Sequence, residues 1–289
     1  MKIHLVDGTY ELFRAHFGAP PKKAPDGREV GATLGLLRSL LLLLSSPDVT
    51  HVGVAFDHVI ESFRNKMYVG YKSSEGVDPV ILNQFPLAEK LVSALGLVIW
   101  PMTKFEADDA IATAVTKFKK VKSVEQIVIC SVDKDLMQMV DGTRVVCWDR
   151  RREIVMDGKG VVQKFGVSPE SIPDYLALVG DSADGYPGIQ GWGAKSTAAV
   201  LAKFKHIEKI PKDPKKLPLG LGRATTLVEN LQQNYEDALL FRELSTLRTD
   251  VPLKEKPDDL KWRGAYPRLK TLCHELGEER IPERVSRWR

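Results

Sequence analysis

The sequence predicts an α/β fold, a mostly parallel central sheet with helices on both faces. Two observations carry this prediction. Short apolar runs at residues 3–6, 51–56, 97–100, 126–132 and 144–148 alternate with longer amphipathic segments, as expected for parallel strands joined by helical crossovers. The runs at 3–6, 51–56 and 126–132 each lead into an aspartate, Asp7, Asp57 and Asp133. In open parallel sheets the strand ends at one edge are where ligands bind. The chain has 289 residues, 43% hydrophobic and 28% charged, which suits a soluble α/β domain with a helical annex.

Taken in order, residues 3–6 read as a buried parallel strand ending at Asp7-Gly8. Residues 9–17 have apolar positions on one helical face, residues 20–31 form a polar loop, and a second helix runs over 32–45. Its apolar run at 40–44 is bracketed by Arg38 and Ser45-Ser46. That is far short of the roughly 20 apolar residues a bilayer span needs. The second strand, 51–56, ends at Asp57. Residues 63–72 then mix basic and aromatic side chains. An amphipathic helix is expected over 79–95 and a third strand over 97–100.

Glu106-Ala107-Asp108-Asp109 opens the next helix, which runs to about Phe118. Acids in a first turn are favoured by the helix dipole, and Glu106 and Asp109 share a face. The fourth strand, 126–132, leads into Asp133-Lys134-Asp135, and the fifth is 144–148. Helices at 158–165 and 169–179 lead to the stretch that gathers the most chemistry, Gly180-Asp181-Ser182-Ala183-Asp184 followed by Gly188-Ile189-Gln190-Gly191-Trp192-Gly193-Ala194-Lys195. Helices are expected over 195–204, 221–230 and 235–247. Residues 203–216 carry six lysines, either a solvated loop or a phosphate-facing one. The tail, 262–289, is basic and weakly patterned.

One acid after a strand is commonplace as a cap or turn former. Three strand ends, an acidic triplet and two aspartate pairs form a different pattern. Nine converging carboxylates repel one another unless cations intervene. Oxygen-only ligands favour Mg²⁺ or Mn²⁺ over Zn²⁺. Two such ions about 4 Å apart can activate a water and stabilise the leaving oxygen of a phosphodiester. The glycine-rich turn opening a helix suits a phosphate, because free N–H groups and the helix dipole face it. The net charge is +4, from 42 basic and 38 acidic residues. With nine acids in a metal site the remainder is 42 against 29, a basic surface of the kind a polyanion binder needs. Cys130, Cys147 and Cys273 have neither metal-ligand nor disulfide spacing and read as reduced thiols. The opening residues are too few for a signal peptide.

These motifs together resemble the 5′–3′ nuclease domain of bacterial DNA polymerase I, in the flap endonuclease superfamily. The resemblance is near-continuous from Met1 to about Leu253. It rests on Val6-Asp7-Gly8, Ala55-Phe56-Asp57, Tyr68-x-x-Tyr71-Lys72, Glu106-Ala107-Asp108-Asp109, Asp133-Lys134-Asp135-Leu136 and Gly180-Asp181-x-x-Asp184 with the turn up to Lys195. It implies a PIN-like core over 1–179 with a basic helical arch at about 63–85. A helix–hairpin–helix region and C-terminal helices would fill 180–289.

The resemblance further implies that Asp7, Asp57, Glu106 and Asp108 hold a first metal with Asp109 close by. Asp133, Asp135 and Asp184 would hold a second, with Asp181 nearby. Lys72 and Arg64 would approach the scissile phosphate from the arch and neutralise transition-state charge. Tyr71, Gly188, Ile189, Gly191, Gly193 and Lys195 would face DNA, with K⁺ at the hairpin carbonyls and the backbone gripped without sequence readout.

The implied activity is a structure-specific 5′ nuclease, both 5′–3′ exonuclease and flap endonuclease. It would act on branched or flapped duplex DNA and RNA primers in replication and repair. A free-standing monomer in the bacterial cytoplasm, at the nucleoid, would fit, with a separate DNA polymerase or sliding clamp as partner. The rival readings are a non-catalytic binder of DNA structures and a PIN-like ribonuclease. Two positions depart from the family pattern: Gly185 stands where asparagine is usual, and Trp192 where a small aliphatic residue is usual. Trp192 would either pack beneath the hairpin or stack on DNA.

Overall fold

The computed structural model describes residues 1–18 and 20–289. The chain forms two compact units that interleave along the sequence. The first comprises Met1–Ile60, Ser74–Ser131 and Arg248–Arg289, and the second Glu61–Ser73 and Val132–Leu247.

The first unit has the expected parallel α/β architecture. Its elements are β1 (Lys2–Asp7), α1 (Gly8–Gly18), α2 (Gly31–Leu44), β2 (His51–Asp57), α3 (Pro79–Leu82), α4 (Phe85–Ala94), β3 (Val98–Met102), α5 (Ala107–Phe118) and β4 (Gln126–Cys130). The strands lie in the order β3-β2-β1-β4, and each neighbouring pair is parallel. β2 is buried along its whole length, so both faces of the sheet are covered, as an all-parallel sheet requires. The chain proceeds outward from β1 to β3 and then returns to the other side of β1. The switch in strand order therefore falls between β1 and β4, where ligand crevices form in such sheets.

The single helix expected over 79–95 is two. α3 ends at Leu82 and α4 starts at Phe85 with Pro86 in its first turn. Proline has no N–H to donate and disfavours helical geometry before it. Gln84 anchors the break: its side chain accepts from the Thr33 N–H of α2 at 3.0 Å.

The basic tail has a role that its pattern did not convey. Trp262 is buried, its indole donating to the Leu95 carbonyl at 2.9 Å. The helix Arg268–Glu275 packs on α4. Glu278 is ion-paired with Lys22 and Arg38. The tail thus closes one side of the first unit.

The second unit holds β5 (Val145–Asp149) and β6 (Ile154–Met156), an antiparallel pair. It also holds α6 (Gly158–Phe165), α7 (Ile172–Val179), α8 (Ala194–Phe204), α9 (Leu221–Gln233) and α10 (Tyr235–Ser245). β6 has no counterpart in the sequence reading, because Ile154 and Val155 are exposed and give no buried-strand period. α7 packs on α8 and α10. Within the arch segment, Phe63–Lys66 is a single 3₁₀ turn with a Ser62/Asn65 capping box. No helix of the described residues is long and apolar enough to cross a membrane.

Candidate metal centre and backbone-binding hairpin

In the first unit the strand ends deliver Asp7 and Asp57, and both are held firmly. Asp7 Oδ1 accepts from the Tyr10 N–H at 2.8 Å and Oδ2 from Ser131 Oγ at 2.9 Å. Ser131 follows β4, so this bond crosses the switch point. Asp57 Oδ1 accepts from the Ala107 N–H at 2.7 Å, joining the end of β2 to the start of α5.

Glu106 is the N-cap of α5 in a reciprocal capping box with Asp109. Asp109 is fully buried. One of its oxygens accepts from the Glu106 N–H and the other from the Arg248 N–H, both at 2.9 Å. Its geometry is that of a brace that orients Glu106. Asp108, on the same turn, is half-buried.

The second unit carries the closest carboxylate cluster. Among the described residues, the group of three whose ligand oxygens lie within 4.8 Å of one another is Asp135, Asp181 and Asp184, all buried. Asp135 opens a 3₁₀ turn, Asp135–Met139, and its N–H donates to Asp133 Oδ1 at 2.9 Å. Asp181 and Asp184 sit in a tight loop between α7 and α8. That loop is fixed by the Asp181–Tyr186 bridge and by the Ala183 N–H donating to Asp181 Oδ1 at 2.9 Å.

Two lysines approach the cluster: Lys134 Nζ lies 2.8 Å from Asp181 Oδ1 and Lys72 Nζ 3.6 Å from Asp184 Oδ1. Burial alone would lower the pKa of Lys134, but the bond to Asp181 and the neighbouring aspartates outweigh it and hold the ammonium above its ordinary value. Burial, then the charges of Asp133, Asp184 and Asp181, push the Asp135 carboxyl well above the carboxylate range; Lys72 only partly opposes this.

Asp133, Asp135, Asp181 and Asp184 thus bring four carboxyl groups to the stretch that Lys134 and Lys72 approach. Asp135 Oδ1 is buried without a hydrogen-bond partner, a costly state for an oxygen acceptor and one that suits a ligand of a hard cation. The donor set therefore fits such an ion.

Behind the cluster lies the helix–hairpin–helix, α7–loop–α8. Gly180, Gly185, Gly188 and Gly191 all have positive φ. The Gly185 departure has a steric reason: with φ +86°, a side chain there would fall on the Gly70 carbonyl oxygen. Beside it, the Lys72 N–H donates to the Asp184 carbonyl at 3.0 Å, which fixes the backbone that carries Lys72.

Of the two expectations for Trp192, packing is what the structure has. It is 3% exposed and its indole donates to the Leu227 carbonyl at 3.0 Å. Ile189 is buried too, so its contribution to a ligand is through its backbone. Gly193 precedes α8 with open space where a side chain would stand, and no side chain caps the helix. Lys195 is exposed in that first turn. An uncapped N-terminus beside a lysine suits a phosphate.

Two arch residues differ from expectation. Arg64 is 1% exposed. Its guanidinium donates to the Leu244 carbonyl at 2.7 Å and the Thr246 carbonyl at 3.2 Å, satisfying the last turn of α10. In this arrangement it is a helix cap and is not presented to a phosphate. Arg64→Met should destabilise the protein by about 2–3 kcal/mol, read from denaturant unfolding. A stability within error of wild type would refute the capping role. Tyr71 is likewise buried, with the Lys72 ammonium 5.8 Å from its ring centroid; it supports Lys72. Sequence reasoning assigned no role to Lys134, although its place between two aspartates was the available signal.

A family model described as the 5′–3′ exonuclease N-terminal resolvase-like domain matches residues 2–166, and one described as the 5′–3′ exonuclease C-terminal SAM fold matches 167–268. The chain belongs to the 5′–3′ exonuclease family. It is 32% identical to a 5′–3′ exonuclease of Aquifex aeolicus over 99% of this chain and 95% of that one. It is 34% identical to DNA polymerase I of Rhizobium leguminosarum over 87% of this chain but 25% of that one, so it spans about a quarter of that polymerase. In fold it is similar to the T5 D15 protein co-crystallised with metal ions, with TM-score 0.67 at 17% identity over 98% and 97% of the two chains. It is also similar to the catalytic core of Rad2 in complex with DNA, with TM-score 0.61 at 14% identity over 98% and 91%.

Proposed function

We propose that this family member is a divalent-metal-dependent, structure-specific 5′ nuclease, acting as 5′–3′ exonuclease and flap endonuclease on DNA in replication and repair. The observation that carries the reading is the buried Asp135–Asp181–Asp184 cluster with its unpartnered oxygen. Asp135, Asp181 and Asp184 hold one divalent ion, with Asp133 supporting Asp135. Asp7, Asp57, Glu106 and Asp108 hold a second, with Asp109 bracing Glu106. The ions are Mg²⁺ or Mn²⁺, which lower the pKa of a bound water and stabilise the leaving oxygen of a phosphodiester.

The chain's own residues do the rest. Lys72, whose ammonium lies 3.6 Å from Asp184, would offset charge on the scissile phosphate as the bond breaks. Gly188, Gly191, Gly193 and Lys195 grip the phosphate backbone of a duplex, with K⁺ at the hairpin carbonyls, and position it without reading bases. Branched or flapped duplexes and RNA primers are the substrates, a separate polymerase or sliding clamp a partner, and a monomer in the cytoplasm the working form.

The test uses a 5′-labelled flapped duplex and a matched single strand, each with Mg²⁺, Mn²⁺ or EDTA. Metal-dependent cutting near the flap junction, with the single strand spared, is the expected result. Binding without cutting in either metal would sink the catalytic reading in favour of a structural binder. Single-strand RNA cleavage without duplex preference would replace it with a ribonuclease. On the same substrate, Lys72→Met should slow single-turnover cleavage by about 10²–10³-fold while flap affinity changes little. An unchanged rate would remove Lys72 from the mechanism.

A further inference from the structure

The tail of the first unit gathers cations that neither the metal centre nor the hairpin uses. Arg268, Lys270, Arg287 and Arg289 are exposed, and none of them is ion-paired among the described residues. Residues 262–289 carry seven Lys or Arg and four Glu. Two of those glutamates are engaged elsewhere, Glu278 with Lys22 and Arg38, and Glu279 with His274.

These cations form one surface with two half-buried aromatic rings. Arg268 and Arg289 both lie over the Tyr266 ring, 4.9 and 4.4 Å from its centroid, and Lys270 lies 4.7 Å from that of Trp288. Trp288 pairs in parallel with Ala265, and the Ala265 N–H donates to the Arg287 carbonyl at 3.0 Å. Arg268 Nη2 donates to Ser93 Oγ at 2.9 Å, and Arg289 to the Gly264 and Gly96 carbonyls at 3.1 and 3.2 Å. Both guanidinium groups are therefore fixed, yet each has five N–H donors, and donors remain for a ligand. The end of α4 at Ala94 offers only about half a negative charge, too little to balance four cations.

The surface lies far from the carboxylates. The Trp262 N–H donates to the Thr50 carbonyl and the Tyr266 N–H to the Ala94 carbonyl, both at 2.8 Å. Thr50 precedes β2 and Ala94 precedes β3, so the tail sits at the amino ends of these strands. Asp57 is at the carboxyl end of β2, seven residues along, or about 20 Å away.

We propose that Tyr266, Arg268, Lys270, Arg287, Trp288 and Arg289 form a binding surface for single-stranded nucleic acid. The choice of nucleic acid over another polyanion rests on the nuclease reading. Guanidinium planes fixed on an aromatic ring take bases by stacking and phosphates through paired N–H groups. A strand held there is bound without sequence readout and away from the cutting site.

The experiment measures binding of a fluorescent oligo(dT) strand in EDTA by anisotropy, across salt, for the full chain and for Lys270→Gln/Arg287→Gln. Neither side chain bonds to a carbonyl among the described residues, and both are exposed. The variant should bind about 10-fold more weakly near 0.1 M salt, and its slope of log K against log salt should fall by about 0.7 for each lost cation. Its flap cleavage in Mg²⁺ should match wild type. An irradiated bromodeoxyuridine strand should cross-link to Tyr266 or Trp288 of wild type, and that result decides alone if the variant does not fold. Unchanged affinity and slope, or cross-links confined to other residues, would overturn this inference and leave the nuclease reading standing. Binding of phosphatidylserine vesicles that is lost in the variant, with oligo(dT) binding unchanged, would replace the strand with a lipid surface. Wild type that cuts no flap, yet holds oligo(dT) through the tail, would sink the nuclease reading and keep this one.

Discussion

Asp135→Asn is expected to have opposite effects on activity and on metal-free stability. Cleavage of a flapped duplex should fall by about 10³-fold or more, as expected when a metal ion's charge stabilisation is lost. In EDTA the same variant should melt higher than wild type. Asp135 is buried, and Asp133, Asp184 and Asp181 surround it with like charge. Its carboxyl pKa in the folded state is raised above the ordinary carboxylate range. Between the unfolded and folded values the native state binds more protons, so stability falls as pH rises through that window. It stays reduced above it, because the ionised group remains buried.

Metal-free wild type should therefore lose melting temperature as pH rises from about 4 through the raised pKa of Asp135, and Mg²⁺ or Mn²⁺ should restore it. Asparagine keeps the shape and cannot ionise, so the variant should lack this component of the pH profile. Thermal melts in EDTA across pH, paired with single-turnover rates in Mg²⁺, read both effects. A variant less stable than wild type in EDTA at neutral pH, or one that cleaves at the wild-type rate, would refute the assignment of Asp135.

Gly188→Ala should disable the hairpin. Gly188 has φ +74°, where a side chain is disfavoured. A Cβ there would stand 2.5 Å from the Val179 carbonyl carbon and 2.7 Å from the Leu178 carbonyl oxygen, and would also collide with the Gly180 N–H nitrogen. All three are backbone atoms, and none can rotate away. The strain and the clash together should cost about 3 kcal/mol or more. The damage reaches the cluster, because Gly180 precedes Asp181 and the Ile189 N–H is bonded to the Leu178 carbonyl.

Duplex binding in EDTA, measured by fluorescence anisotropy, should weaken. Amide exchange of residues 178–191 should quicken more than that of β1–β4. The contrasting control is Gly193→Ala. Its Cβ would meet nothing within 4 Å, so the free protein should keep its stability. Equal stability of the two variants would show that the hairpin does not need its glycines.

The strand ends at Asp7 and Asp57, the capped start of α5, and the Asp133–Asp135 and Asp181–Asp184 pairs were all legible along the chain. Each is a local event: a buried run stopping at its first polar residue, an acidic first turn, or a glycine-punctuated loop. The glycine-rich turn at 188–193 was legible for the same reason, since positive-φ turns favour glycine; that it forms a helix–hairpin–helix came from the family resemblance.

Burial was not legible. Arg64 and Tyr71 looked like surface members of a basic-aromatic stretch, yet each is buried. Arg64 closes on carbonyls some 180 residues away, and no local pattern encodes that. Asp109 looked like one more ligand until its partners, Glu106 and Arg248, made it a brace. Trp192 was open between packing and stacking until the Leu227 carbonyl took its indole.

The sequence by itself determined which chemistry is available: carboxylates at strand ends and in tight loops, glycines where the backbone must turn, and lysines between them. Those are properties of residue type and short spacing, fixed before any long-range contact forms. Only the tertiary structure decided which groups remain for function. A buried side chain serves whichever partners the packing brings close, and here that packing separates Asp135, Asp181 and Asp184 from residues of the same type, such as Asp109, that hold the fold together.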